Sequence, residues 1–133
     1  MGNATTRKKL VIIAEDDAAL RSLFQQALER DGHAVLPVGN GRELVALVEE
    51  ILLRGGRGGS IDLIISDIRM PEMDGLAALA RLRASCGRVP VVLMTAFGDS
   101  ASAKAAAGLQ AALLSKPVGL RHLRDVVEST FAA

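Results

Sequence analysis

Five short apolar runs alternate along the chain with segments in which apolar residues recur every three or four positions. The runs are rich in Val, Ile and Leu, which is typical of strands buried on both faces of a parallel sheet. The segments between them have the spacing of amphipathic helices. The pattern predicts strands at 10–14, 34–38, 61–67, 89–94 and 111–115.

A helical segment follows each predicted strand. Asn40, with Glu43 three positions later, resembles the capping box that begins a helix. The fourth segment, 98–108, is mostly alanine and buries little apolar area, so we expect it to be mobile. The other four helices should turn the following residues toward the core: Leu20, Leu23, Phe24, Ala27 and Leu28; Leu44, Leu47, Val48, Ile51 and Leu52; Leu76, Leu79 and Ala80; and Leu120, Leu123, Val126, Val127 and Phe131.

This alternation predicts an α/β fold, a single doubly wound five-stranded parallel sheet with helices on both faces. We expect the flavodoxin-like strand order 2-1-3-4-5, with Pro37 placing strand two at an edge. Residues 10–133 should form one domain, preceded by a polar, disordered segment at 1–9. The glycine-rich stretch 54–60 should be a loop inserted within that domain.

Composition argues against several classes of function. The net charge of +1 and the aromatic content of 2%, without Trp or Tyr, argue against direct nucleic-acid binding. No apolar run approaches the roughly 20 residues of a membrane span, so we expect no membrane association. The single cysteine, Cys86, has no disulfide partner within the chain, which favours a cytoplasmic location.

Side chains suited to chemistry stand where the predicted strands end. Glu15 and Asp16 follow strand one, Asp67 ends strand three, Thr95 follows strand four, and Lys116 follows strand five. Ligands bind at the carboxyl ends of strands in open α/β sheets, so we expect these groups to converge on one pocket. Three carboxylates there would repel one another unless a divalent cation and the lysine balanced their charge. Mg²⁺ suits such a site because it prefers oxygen ligands.

A carboxylate beside a metal ion and a lysine can take up a phosphoryl group. Asp67 can form an aspartyl phosphate while the cation and Lys116 neutralise the transferring oxygens. Thr95 offers a hydroxyl to a phosphoryl oxygen, and the small Ala96 leaves access. Each residue alone has an ordinary explanation, such as a helix cap or a solvated loop charge. Five suitable groups at four strand ends favour phosphoryl chemistry.

These residues lie within four motifs: Glu15-Asp16-Asp17, Asp67-Ile68-Arg69-Met70-Pro71-Glu72-Met73-Asp74-Gly75, Thr95-Ala96 and Lys116-Pro117. Together the motifs resemble the receiver domain of two-component response regulators, which has the fold of the chemotaxis regulator. The resemblance runs from about Leu10 to Phe131. It implies that Asp67 is the phosphoacceptor, with a sensor histidine kinase, a histidine phosphotransfer protein or a small acyl phosphate as donor. It also implies that the protein catalyses only its own phosphorylation and dephosphorylation.

The resemblance further implies a metal site for Mg²⁺ or Mn²⁺. Its ligands would be the carboxylates of Asp16 and Asp67 and the backbone carbonyl of Arg69, with Glu15 helping through water. An output protein or a second copy of the chain would bind a face formed by helix four, strand five and helix five.

Residues around the phosphoryl group are implied in the same way. Thr95, Ala96 and Lys116 would bind the phosphoryl group and switch with it, and the peptide bond before Pro117 would be cis. One departure concerns Leu113, which stands where the family usually has a switch aromatic. We therefore expect a shift of helix four without an aromatic flip at that position.

The two histidines, His33 and His122, are expected at the surface, and neither has neighbours in the sequence that would make it a phosphodonor. A haloacid-dehalogenase-type phosphatase would need a second Asp where Arg69 stands. A flavodoxin-like cofactor protein would bind a phosphate after strand one, where the acidic residues would repel it. Two alternatives stay open: a phosphate-independent interaction module, and the receiver part of a longer DNA-binding transcriptional regulator.

Overall fold

The computed structural model describes residues 8–55, 60–85, 87–96 and 100–132. Strands and helices alternate along the chain. Their bounds are β1 Leu10–Ala14, α1 Ala18–Arg30, β2 Ala34–Val38, α2 Gly41–Arg54, β3 Leu63–Asp67, α3 Gly75–Arg83, β4 Val91–Thr95, α4 Ser100–Gly108, β5 Ala112–Ser115 and α5 Leu120–Ala132. Parts of the predicted terminal segment and glycine-rich loop lie outside the described residues, as do Cys86 and the predicted start of helix four.

The five strands form one parallel sheet in the order β2-β1-β3-β4-β5. The predicted fold class and strand order are therefore confirmed. Pro37 lies on the edge strand β2, where its missing N–H interrupts no central ladder. None of the described helices combines the length and apolarity needed to cross a bilayer.

Apolar side chains fill both faces of the sheet. Neighbouring residues of a strand point to opposite faces, so Ile12 and Ile64 pack on one side while Val11 and Ile65 pack on the other. The first side is covered by α2 and α3, and the second by α1 and α5. Burial on both faces is why the strands read as continuous apolar runs rather than as alternating ones.

Two residues predicted to face the core do not. Leu23 is 47% exposed, although its neighbour Phe24 is buried, and Ala80 is exposed although Leu79 is buried. Successive helical residues are about 100° apart around the axis, so one of two adjacent residues falls at the margin of a narrow stripe. In α3 the residue that completes the buried face is Leu82.

His33 was expected at the surface and is instead buried. Its Nε2 atom lies 3.1 Å from Oε2 of Glu128, and its ring meets the ring of Phe131 edge to face at 5.1 Å. Both partners belong to α5, about a hundred residues later in the chain, so the burial follows from tertiary packing. His122 is exposed, as expected.

The start of α2 differs in one detail from the predicted capping box. Oδ1 of Asn40 accepts a hydrogen bond from the N–H of Glu43 at 2.8 Å, as expected. The Glu43 side chain, however, accepts from the N–H of Gly39 at 2.8 Å, one residue earlier than in a capping box. The two hydrogen bonds still tie the turn before α2 to its first residues.

The alanine-rich helix α4 has a single buried residue among those described, Ala106. The expected lack of large core residues is confirmed, and the mobility inferred from it stays a prediction. The end of α4 is better anchored, because Arg83 donates from Nε to the carbonyl of Leu109 at 2.8 Å and from Nη2 to that of Gln110 at 3.2 Å. Leu113, on the next strand, is partly buried against the core.

Candidate functional site

The carboxyl ends of four strands meet at one edge of the sheet. Asp67 is the last residue of β3 and pairs in register with Met94 of β4. Glu15 directly follows β1, Thr95 ends β4, and Lys116 directly follows β5. Parallel strands all point the same way, so the side chains that follow them gather at this edge.

Lys116 joins the two buried acids. Its Nζ atom lies 2.6 Å from Oδ1 of Asp67 and 3.2 Å from Oε1 of Glu15. Its backbone N–H donates to the carbonyl of Thr95 at 2.7 Å, and the peptide bond to Pro117 is cis. One ammonium group thus faces two carboxylates that have almost no access to solvent.

Three carboxylates form a cluster at this point. One oxygen of each of Glu15, Asp16 and Asp67 lies within 4.8 Å of the others. Glu15 and Asp67 are buried, whereas Asp16 is exposed. Oδ2 of Asp67 is buried and accepts no hydrogen bond from any described residue. An oxygen-only donor set with an unsatisfied buried carboxylate oxygen fits a hard divalent cation.

The charges in this cluster shift one another's protonation. Burial raises the pKa of Asp67 to about 8, the Glu15 carboxylate adds to the rise, and Lys116 opposes it. Burial would also raise the pKa of Glu15, but the adjacent Asp67 carboxyl, the hydrogen bond from the N–H of Asp17 and the Lys116 ammonium hold that pKa below its usual value. Burial would lower the pKa of Lys116, but the carboxylates raise it. In the absence of a cation, Asp67 is the acid that resists ionisation.

Hydrogen bonds hold Glu15 in place. Its Oε2 atom accepts from the N–H of Asp17 at 3.0 Å, and its own N–H donates to the carbonyl of Val38 at 3.1 Å. Asp17 in turn caps α1, because its Oδ1 atom accepts from the N–H of Leu20 at 3.0 Å. The acidic run after β1 therefore combines a helix cap with two candidate site residues.

The remaining predicted site residues lie close in sequence to the strand ends that form the site. Arg69 lies two residues after Asp67 with an exposed side chain. Thr95 is buried and Ala96, which follows it, is exposed. Leu113 lies opposite Leu93 in the sheet register, two residues before the paired residues Thr95 and Ser115.

Gly75 holds the loop after β3 against the strand end, a role that the sequence pattern did not reveal. Its N–H donates to the carbonyl of Ile68 at 2.6 Å. A Cβ atom at Gly75 would lie only 2.1 Å from the carbonyl oxygen of Asp67. The hydroxyl of Ser66 donates to that same carbonyl at 2.9 Å. The Asp-Gly pair indicated a turn, but not that the turn packs on the phosphoacceptor candidate.

A second glycine holds the same loop from the side of α2. Gly41 donates its N–H to the carbonyl of Met73 at 3.1 Å, and a Cβ atom there would lie 2.1 Å from that oxygen. No sequence signal pointed to this contact, which joins backbone atoms of the start of α2 and of the loop after β3. The sequence pattern also missed Arg21, whose Nη1 atom donates to the carbonyl of Glu15 at 2.7 Å.

Comparison with known proteins identifies the family. Residues 11–128 match the response regulator receiver domain. Over 119 residues the chain is 30% identical to the sensor kinase CckA of Brucella abortus, covering 89% of this chain and 12% of that protein. Over 116 residues it is 34% identical to the transcriptional regulatory protein TcrA of Mycobacterium tuberculosis, covering 85% of this chain and 42% of that one. The chain thus spans less than half the length of these two relatives.

A solved structure shows the same fold. The CheY-like response regulator receiver domain protein from Methanospirillum hungatei superposes with a TM-score of 0.85 over 95% of both chains, at 22% sequence identity. Because the family match covers nearly all of the described structure, this chain belongs to the response regulator receiver domain family of two-component systems.

Proposed function

We propose that this chain is the phosphoacceptor of a two-component phosphorelay and takes a phosphoryl group onto Asp67. The donor is a phosphohistidine, carried by a sensor histidine kinase or a histidine phosphotransfer protein. The observation that supports this most directly is the 2.6 Å contact between Lys116 and Asp67, next to the cluster of three carboxylates. A structural salt bridge alone would not require the further acids beside it.

In the proposed step, a carboxylate oxygen of Asp67 attacks the phosphorus atom. The bond between phosphorus and the donor imidazole breaks, and the leaving imidazole takes up a proton from water. Lys116 already faces Asp67, so its ammonium can balance charge on the transferring oxygens without moving far. Thr95 offers a hydroxyl to one of these oxygens, and the small, exposed Ala96 leaves access for the donor. The chain thus assists its own phosphorylation and dephosphorylation and no other reaction.

The residues fit a bound Mg²⁺ or Mn²⁺ ion. Asp16, Asp67 and the backbone carbonyl of Arg69 would hold it, and Glu15 would assist through water. The outer role of Glu15 is supported by its existing contacts, since its two oxygens already face Lys116 and the N–H of Asp17. When bound, the ion would neutralise phosphoryl oxygens and favour ionised Asp67. Binding without phosphate should be weak, because the site must first lose a proton.

The output surface in this proposal is the face of α4, β5 and α5. Only Ala106 of α4 is buried among the described residues, so moving the helix disturbs little of the core. A bias of about 1–3 kcal/mol from phosphorylation would be enough to redistribute such an element. Leu113 at the usual aromatic position favours a shift of α4 without an aromatic flip. The partner is an output protein or a second copy of the chain.

The natural setting of this receiver is a second point of the proposal. The relatives include a sensor kinase and a transcriptional regulator, of which the chain covers only 12% and 42%. A receiver joined to a longer regulator is therefore a candidate alongside a receiver that acts by itself. We place either form in the cytoplasm, because phosphohistidine donors are made from ATP there.

Phosphorylation at Asp67 can be tested by incubation with acetyl phosphate and Mg²⁺, followed by intact mass measurement. We expect one added phosphoryl group that is lost in hydroxylamine, as an acyl phosphate is. Asp67→Asn should not be labelled, whereas the control Asp125→Asn, an exposed acid on α5, should be labelled like the wild type. Equal labelling of Asp67→Asn would overturn the assignment.

The output surface needs a separate measurement. Beryllofluoride, a phosphoryl mimic, should change hydrogen exchange in α4, β5 and α5 when added with Mg²⁺. A change confined to α1 and the loop after α2 would show that the regulated face lies elsewhere. Asp67→Asn is the control: its hydrogen exchange should stay the same when beryllofluoride is added, because the mimic binds to the Asp67 carboxylate.

A further inference from the structure

Arg21, on the second turn of α1, binds the backbone on both sides of Asp16. Its Nη1 atom donates to the carbonyl of Glu15 at 2.7 Å. Its backbone N–H donates to the carbonyl of Asp17 at 2.8 Å. The second contact is the first backbone hydrogen bond of α1, which any residue at this position would make, so the contact specific to the arginine is the one with the carbonyl of Glu15.

The contact completes the fixation of the Glu15 backbone. The backbone N–H of Glu15 donates to the carbonyl of Val38 at 3.1 Å, and its backbone carbonyl accepts from the guanidinium of Arg21. Both backbone polar groups of Glu15 are therefore hydrogen-bonded. The carbonyl of Glu15 belongs to the peptide unit that leads into Asp16. Orientation of this peptide therefore determines where the Asp16 side chain begins.

Asp16 depends on that backbone more than its neighbours do. Its side chain is exposed and has no hydrogen bond or ion pair with a described residue, whereas the side chain of Glu15 is held by Lys116 and that of Asp17 by the N–H of Leu20. Even so, an Asp16 oxygen lies within 4.8 Å of oxygens of Glu15 and Asp67. The backbone, rather than a side-chain partner, keeps it there.

We propose that Arg21 is a positioning residue that orients the peptide between Glu15 and Asp16, so that the Asp16 carboxylate is held ready for a divalent cation. This inference rests on the proposed function, since it concerns the same metal site. A loop whose backbone is held by hydrogen bonds before the ion binds loses less conformational entropy on binding. Outer residues that orient metal ligands typically change metal affinity when they are removed.

The surroundings of the guanidinium explain why an arginine suits this role. A Cβ atom at Gly39 would lie 3.3 Å from Nη1 of Arg21, so the side chain occupies the space that this glycine leaves open. The guanidinium reaches from α1 past the end of β2 to the backbone after β1. A lysine would bring one ammonium group and lack the planar fork of donors, so it should replace Arg21 only in part.

The test compares Arg21→Ala, Arg21→Lys and the control Arg30→Ala, an exposed arginine of the same helix. Titration with MgCl₂, followed by amide NMR shifts, gives the affinity. We expect Arg21→Ala to bind Mg²⁺ about tenfold more weakly, at the lower end of the range for outer residues of metal sites. Arg21→Lys should be intermediate, and Arg30→Ala should match the wild type.

A second readout needs no metal. Without added metal, hydrogen exchange at the amides of Glu15 and Asp17, which donate to the Val38 carbonyl and to the Glu15 carboxylate, should become faster in Arg21→Ala and stay unchanged in Arg30→Ala. Unfolding curves of every variant separate this local effect from a loss of global stability. If Arg21→Ala unfolds, Arg21→Lys carries the comparison.

The outcomes separate the inference from the proposed function. Wild-type Mg²⁺ affinity and wild-type exchange in a folded Arg21→Ala, or in Arg21→Lys if Arg21→Ala unfolds, would overturn the positioning role and leave phosphorylation of Asp67 untouched. A wild-type protein that binds no Mg²⁺ and is not labelled by acetyl phosphate would overturn the proposed function itself.

Discussion

Arg124 of α5 binds the carboxylate of Asp31 at two points: Nε lies 2.8 Å from Oδ2, and Nη2 lies 2.6 Å from Oδ1. The pair joins α5 to the turn after α1. Hydrogen bonds from Arg124 hold the pKa of Asp31 below its usual value. An ion pair thus joins two segments that are far apart in sequence, and it is lost when Asp31 is protonated at low pH.

We expect this pair to make stability depend on pH in the acid range. The folded-state pKa of Asp31 is depressed, so its contribution is present above the unfolded value of about 3.9 and is lost as the pH falls through the folded value. Asp31→Asn should be slightly less stable than the wild type at neutral pH, and the two should converge in acid. Urea unfolding from about pH 2 to about pH 7 measures the difference.

The control for this prediction is Glu50→Gln. The Glu50–Arg54 pair is exposed on both sides, so its loss should change stability little at any pH. A difference between Asp31→Asn and the wild type that stayed constant down to the lowest pH would contradict the prediction.

Replacement of Gly75 by alanine should destabilise the protein. The added Cβ would lie 2.1 Å from the carbonyl oxygen of Asp67, and a backbone atom cannot move aside as a side chain can. We expect a loss of about 1–3 kcal/mol in the free energy of unfolding, measured in urea. Gly108→Ala is the matched control, because a Cβ there meets nothing within 4 Å and should leave stability unchanged or slightly raised. Equal effects of the two substitutions would contradict the packing described for Gly75.

Asp67→Asn should change how the cation-free protein responds to pH. The pKa of Asp67 is raised to about 8, so the folded state favours the protonated acid. The contribution of protonated Asp67 to the free energy of unfolding is fully present below the unfolded-state pKa of about 3.9. It is lost as the pH rises through the folded-state pKa. In EDTA, the wild type should lose stability between these pH values, while Asp67→Asn should respond less.

Mg²⁺ supplies the complementary measurement. Adding the ion should raise the midpoint of unfolding of the wild type, because a ligand that binds only the folded state stabilises it. The rise should be much smaller in Asp67→Asn, whereas Asp125→Asn should behave like the wild type. If the wild type and Asp67→Asn had parallel pH profiles in EDTA, ionisation of the buried Asp67 would not lower the stability of the folded state, and the pH prediction would be contradicted.

Arg83 should anchor the end of α4. Besides its two contacts after α4, its Nη1 atom donates to the carbonyl of Val89 at 2.7 Å. Arg83→Met keeps most of the aliphatic stem and removes these donors, so we expect a loss of about 1–3 kcal/mol in stability. Amides at 109–111 should also exchange faster with solvent.

The neighbouring Arg81 gives the matched control for that substitution. It lies on the same helix and is exposed, and its ion-pair partner among the described residues is Glu49, at 3.5 Å. Arg81→Met should therefore leave both stability and exchange at 109–111 close to the wild type. If both methionine variants behaved alike, the three carbonyl contacts would contribute nothing measurable.

Local periodicity was enough to predict the strands, the helices and their order. A run of β-branched residues buried on both faces differs from a helical stripe within a few residues, and the alternation of the two predicts a parallel sheet with helices on both faces. The strand order was expected by analogy with the flavodoxin-like pattern, since the rules for parallel sheets allow more than one order. The candidate site could be predicted for the same reason. Asp67 and Lys116 stand at strand ends, and parallel strands bring their ends to one edge.

Contacts between distant segments could not be predicted in this way. Whether Leu23 or Phe24 faces the core depends on how α1 rotates against the sheet, and burial of His33 depends on α5 lying across it. Gly41 and Gly75 are needed because backbone from elsewhere approaches them closely.

The same distinction applies within the site. The sequence by itself determined which charged groups reach one edge of the sheet. Only the tertiary structure decided that Lys116 lies between two buried acids and that Arg21 holds the backbone beside Asp16. The physical reason is range: propensity and periodicity act over a few residues, whereas burial, pKa shifts and these hydrogen bonds depend on segments brought together by folding.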